Sequence, residues 1–176
     1  MNNITTENKG TIKLGETVMV SDPCYGLNTW CQGVLKNVLP GQYDCNVEYS
    51  DEGDWGIRVS AIEATHIGYD RCVLSEELED FVVGVDSGLA GIFDYEYYAK
   101  YHMGATERPH VDDDWYDKVC DLAHKSHFDG NTIDNLGLVS SSGYGDGGYD
   151  CWTSKNEDGK IVSIRVEFLS EYDEEE

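Results

Sequence analysis

The sequence predicts a mostly β, α+β fold: an antiparallel β-sandwich or partly open barrel with one main helix. Three observations lead there. Short stretches of alternating apolar and polar residues recur, most clearly over 42–49 and 161–168. Turns rich in glycine, aspartate and asparagine separate them. Only residues 111–126 place apolar side chains three and four apart, as one helical face requires.

Residues 1–9 are polar and read as a disordered N-terminus. Residues 10–169 then form a single β-rich domain, and 170–176 is an acidic tail. Residues 10–26, GTIKLGETVMVSDPCYG, give two strands around Gly15-Glu16, the second stopped by Asp22-Pro23. Strands over 30–38 and 42–49 meet at Pro40-Gly41. A turn over 50–54 leads to a strand over 55–67. There Ile57, Val59, Ala61 and Glu63 alternate with Arg58, Ser60 and Ile62, so the strand is two-sided or bulged.

Residues 81–94, FVVGVDSGLAGIFD, read as a strand pair around Asp86-Ser87-Gly88. A short helix follows at 95–101. In the main helix, Val111, Trp115, Val119, Leu122 and Ala123 share a face. Asp112, Asp113 and Asp114 occupy its first turn, where carboxylates meet the positive end of the helix dipole, and His124 and Lys125 its last. This helix is expected to cap an edge or an open end. Strands over 136–141, 149–154 and 161–168 complete the chain, with Ile164, Val166 and Phe168 on one face of the last.

Thirty-five acidic residues face twelve basic ones, a net charge of −23. Such a field opposes nucleic acid and anionic membrane, and favours a basic protein surface or divalent cations. Neither a basic region with an apolar segment behind it nor a bilayer-length apolar run is present, so a cytoplasmic protein is expected. The six cysteines lack zinc-knuckle spacing and read as reduced, mostly buried thiols. The five histidines, His66, His102, His110, His124 and His127, form no local catalytic signature, and no phosphate or dinucleotide loop is present.

Three loops place aspartates among small residues at strand ends: SDPCYG with Asp22, VDSGLAGIFD with Asp86 and Asp94, and GYGDGGYD with Asp146. If the four carboxylates converge, they form a hard-oxygen site for calcium or magnesium. Aspartate and glycine are also ordinary turn formers. SSSGYGDGGYDCW, residues 140–152, reads as a hairpin whose Gly145, Gly147 and Gly148 permit positive φ around Asp146. Its flanking rings raise the alternative of a small-ligand, nucleotide-capturing site built from Tyr25, Arg58, Tyr144, Asp146, Tyr149 and Trp152. Arg58, Arg71 and Arg165 are scarce bases that could pair with these aspartates.

With Asp86, Gly88, Gly91 and Asp94 in the first pattern and Gly143, Gly145, Asp146 and Gly147 in the second, the chain resembles an uncharacterised bacterial and phage domain family. That family carries VDSGxAGxFD and SSGYGDGGY motifs. The resemblance implies a mostly β domain and carries no catalytic residue. Three functions are weighed. The first is a non-catalytic acidic binding protein, a phage counter-defence factor engaging a basic host surface such as a nuclease. The second is a small-ligand binder. The third is a metal-dependent hydrolase using the four aspartates.

Overall fold

The structure is a computed structural model and describes residues 3–30, 32–102, 113–123 and 128–169. In chain order the strands are β1 (Ile4–Leu14), β2 (Val18–Ser21), β3 (Gly33–Leu35), β4 (Gly41–Asp51), β5 (Ile57–His66), β6 (Glu77–Val85) and β7 (Leu89–Asp94). The helices α1 (Tyr95–His102) and α2 (Asp113–Ala123) follow, then β8 (Gly130–Ile133), β9 (Gly137–Ser141), β10 (Gly147–Lys155) and β11 (Ile161–Glu167). They build two antiparallel sheets, not a closed barrel. One runs β1-β4-β5-β11-β10-β6, the other β3-β2-β7-β9-β8.

Alternation explains which faces meet. In β4, Tyr43, Cys45, Val47 and Tyr49 are buried, while Asp44, Asn46 and Glu48 between them are partly exposed. These inward residues meet Ile12 and Leu14 of β1, Ile62 and Ala64 of β5, Ile164 and Val166 of β11, and Val20 and Ile92 of the facing sheet. Central β5 is buried on both faces from Val59 to Thr65, and a register shift at Glu48/Tyr49 marks the expected bulge.

The second sheet is covered on its other side as well. Trp115, Val119 and Ala123 of α2 and Tyr98 of α1 pack on Met19, Phe93, Ile133 and Val139. The helix therefore lies on a sheet face and does not cap an edge. Val111, Asp112 and residues 124–126, expected in this helix, lie outside the described residues, as do Cys31, residues 103–110, His127 and 170–176. No helix among the described residues is long and apolar enough to cross a membrane.

Two sequence expectations need correction. Residues 4–9 are strand, not a disordered lead-in: Ile4 pairs with Ser50 and Asn8 with Asn46. Ladder hydrogen bonds use backbone groups alone, so a polar segment can form an edge strand, and polar side chains suit such an edge. The Asp86–Gly88 turn and the glycine-rich loop are also not hairpins. β6 and β7 lie in different sheets, and so do β9 and β10. The turns between β1 and β2 and between β3 and β4 cross over likewise. Inward alternation looks the same whichever sheet a strand joins, because both sheets face one core. In the glycine-rich loop, Gly143 and Gly145 take positive φ (55° and 116°), whereas Gly147 and Gly148 already belong to β10.

Gly91 is explained by packing. A Cβ there would fall 2.6 Å from the Leu138 carbonyl oxygen and 2.4 Å from the Phe93 ring. Gly91→Ala should therefore destabilise the protein by about 1–3 kcal/mol, the usual range for overpacking. A fall in the urea midpoint checks this, and an unchanged midpoint would show that the second core yields freely.

Candidate functional site

The SDPCY segment leaves β2 at one end of the sandwich. The Asp22 side chain is fully buried there and accepts four hydrogen bonds. The Asp86 and Ser87 N–H groups donate to Oδ2, each at 2.9 Å. The Ser87 hydroxyl (2.7 Å) and the Cys24 N–H (2.9 Å) donate to Oδ1. The segment's carbonyls bind the helices: Trp115 Nε1 donates to the Pro23 oxygen at 2.7 Å, and the Tyr98 hydroxyl donates to the Asp22 oxygen at 3.1 Å. Burial pushes the neighbouring Cys24 thiol up to about 12, so it stays protonated at neutral pH.

The other aspartates do not join Asp22 in one cluster. Asp86 accepts a hydrogen bond from the Tyr25 hydroxyl. Asp94 lies at the opposite end of β7, because Val18 pairs with Asp94 and Ser21 with Gly91. A six-residue strand separates the two ends by roughly 17 Å. There Asp94 accepts from the Gly15 N–H at 2.8 Å and from the Tyr97 N–H, in the first turn of α1, at 3.3 Å. Asp146 is exposed in the β9–β10 loop. Among the described residues no three ligand-type side chains are grouped to hold a metal ion. The expected calcium or magnesium site at Asp22, Asp86, Asp94 and Asp146 is corrected accordingly: register places one member at the far pole, and the backbone occupies another.

The six residues of the expected ligand site divide similarly. Tyr149 supports the loop, its hydroxyl donating to the carbonyls of Gly145 (2.6 Å) and Ser142 (3.2 Å) while its ring meets Phe168 edge-on. Tyr25 binds Asp86 and packs edge-on against Trp30. Trp152 pairs across the ladders with Arg165 and Leu78, on the outer face of the first sheet. Arg58 and Tyr144 do come together. The Arg58 guanidinium lies 4.1 Å from the Phe128 ring centroid and 5.0 Å from that of Tyr144. Its Nε donates to the Trp55 carbonyl at 3.0 Å, so it stacks between rings and does not pair with the expected aspartates. The Tyr144 hydroxyl donates to Glu52 at 2.8 Å.

Sequence reasoning missed Trp55, Phe128 and Glu52. Phe128 stands seventy residues from Arg58, and no local pattern links them. It also missed Asp129, which accepts from the Tyr49 hydroxyl, from the Gly130 N–H at 2.8 Å and from Lys9 at 3.4 Å. Burial opposes the charge of Asp129, but these donors outweigh it and hold the carboxyl below the usual carboxylate range.

On the outer face of the first sheet, Arg165 bridges Glu48 (3.1 Å), Glu63 (3.5 Å) and Glu167 (3.1 Å), and Arg71 bridges Glu63 and Glu76. Burial works against the Arg165 charge, yet Glu48 and Glu167 raise its pKa. A hollow lined by Thr6, Asn46, Glu48, Ala61, Glu63 and Arg165 encloses about 100 Å³. Ligand pockets usually enclose ~300 Å³ or more, so this one is too small for a nucleotide.

These features define a helix-backed β-sandwich whose best-formed polar cluster is a structural tie between loops. The chain belongs to the family described as Protein of unknown function (DUF4241), which matches residues 16–166. No curated protein and no solved structure shows significant similarity to it.

Two measurements probe the site. Asp22→Ala strands buried donors that each cost about 1–3 kcal/mol, so urea unfolding should show a loss of about 3 kcal/mol or more. Asp146→Ala should stay within about 0.5 kcal/mol, as for other exposed positions, and equal losses would refute the structural role of Asp22. The second measurement uses pH. A depressed folded pKa gives stability that is complete above the unfolded value near ~3.9 and is lost as pH falls through the folded value. Asp129→Asn should therefore be less stable at neutral pH and show a shallower decline in acid. Parallel acid limbs for variant and wild type would assign the acid loss to other groups.

Proposed function

We propose that this is a non-catalytic acidic binding protein, a phage-encoded counter-defence factor acting in the cytoplasm on a basic surface of a host protein such as a nuclease. The observation that carries the reading is the imbalance of charge. The chain has a net charge of −23. Lys9, Arg71, Lys118, Lys155 and Arg165 already sit in ion pairs with carboxylates of the same chain. Their charges are offset locally, and the outward field is that of the excess acid. A field of this kind attracts a cationic surface over a Debye length and orients it before contact.

Stopped-flow association with a basic nuclease at increasing salt tests the reading. The association rate should fall at least about tenfold from low to near-physiological ionic strength, while dissociation changes less. An association rate indifferent to salt would rule out a charge-led encounter.

A further inference from the structure

The end of the sandwich that carries Arg58 also carries apolar side chains that neither core uses. Trp55, in the tip between β4 and β5, is 69 % exposed. Ile57, at the start of β5, is 59 % exposed, and Tyr144, in the β9–β10 loop, is 52 % exposed. None of the three belongs to either buried cluster. Exposed single residues of this kind are common. Here one guanidinium joins the Tyr144 ring to the backbone of Trp55, so the two segments that carry them are held side by side.

Arg58 is stacked between Phe128 and Tyr144 and fixed to the Trp55 carbonyl. Glu52 takes the Tyr144 hydroxyl on one oxygen and the Ser50 hydroxyl (2.6 Å) on the other. The Glu52 N–H donates to the Gly56 carbonyl at 2.9 Å, which closes the tip. Two segments distant in sequence are therefore bonded to each other before any partner arrives. A surface ordered in advance loses less side-chain freedom on binding. Asp51 and Asp54 are exposed in the same tip, and Asp146 follows Tyr144 by two residues in its loop.

From this arrangement we propose that the Trp55–Ile57–Tyr144 face is the surface on which the protein docks a basic protein segment rich in arginine. The inference rests on the acidic-binder reading above and names its site and the chemistry of its partner. Charge complementarity selects the occupant. Guanidinium groups stack on tryptophan and tyrosine faces and pair with carboxylates, and this rim offers both within one hairpin tip and one loop. Tryptophan and tyrosine are also the residues that most often dominate binding energy at protein interfaces. A second copy of this chain would bring the same carboxylates against themselves, which disfavours self-pairing at this face.

The test uses octa-arginine as the probe and substitutions that leave net charge untouched. Isothermal titration of the full chain at near-physiological salt should show binding. Trp55→Ala and Tyr144→Ala should each weaken it at least about tenfold, and Trp55→Phe, which keeps a ring, should retain most of it. Equal affinity in wild type and both alanine variants would overturn the docking face and leave the charge-led reading standing, since charge is unaltered. No binding by wild type even at low salt would overturn both. Sedimentation showing a concentration-dependent dimer that Trp55→Ala abolishes would also overturn the proposal, by assigning the face to a second copy.

Discussion

A buried carboxylate, that of Asp22, holds this architecture in register. Burying such a group without partners costs several kcal/mol. Four donors surround it here, and three are backbone N–H groups from two loops. Oxygens on the same segment receive Tyr98 of α1 and Trp115 of α2. The exit of one strand, a crossover between sheets and both helices are thus fixed relative to one short loop. Changing the position of any one of them breaks hydrogen bonds belonging to the others, which makes the arrangement cooperative.

That coupling gives the residues of the two motifs in this chain a structural meaning. In VDSG, Asp86 and Ser87 supply the donors that Asp22 needs, and Gly88 turns the chain at positive φ. Gly91 leaves room for the Phe93 ring, and Asp94 binds the first turn of α1. In SSSGYG, the Ser141 hydroxyl donates to the last carbonyl of α2, that of Ala123, at 2.8 Å, and the Ser142 N–H donates to Gly88 at 3.1 Å. In this chain the two segments together join both sheets to the helical layer.

How much of this the sequence disclosed depended on range. The inward faces of β4 and β11 follow from alternation, and the buried stripe Trp115, Val119 and Ala123 follows from helical period, because both patterns are local. Sheet membership is not local. Pattern alone could not show that the Asp86 turn changes sheets, since the residues on either side would alternate identically in a hairpin. The polar edge strand β1 escaped for a related reason: its pairing with β4 is carried by backbone atoms, which composition does not report. At the site, Arg58 and Tyr144 were legible as a rare base and a loop ring. The contact of Arg58 with Phe128, and the bond from Lys9 to Asp129 across 120 residues, exist only once the fold has formed.

The same logic divides the loops by what they are free to do. The oxygens of Asp22 are engaged by donors, Asp94 is tied to Gly15 and α1, and the Tyr149 hydroxyl supports its own loop. Residues so committed cannot bind a partner without loosening the sandwich. Trp55 and Ile57, by contrast, are largely exposed and belong to neither buried cluster, and Asp51, Asp54 and Asp146 are exposed near them in the chain. The buried carboxylate and the close-packed Gly91 of this fold are thus spent on holding two sheets and a helical layer together, and the exposed rings and charges at the rim carry none of that load.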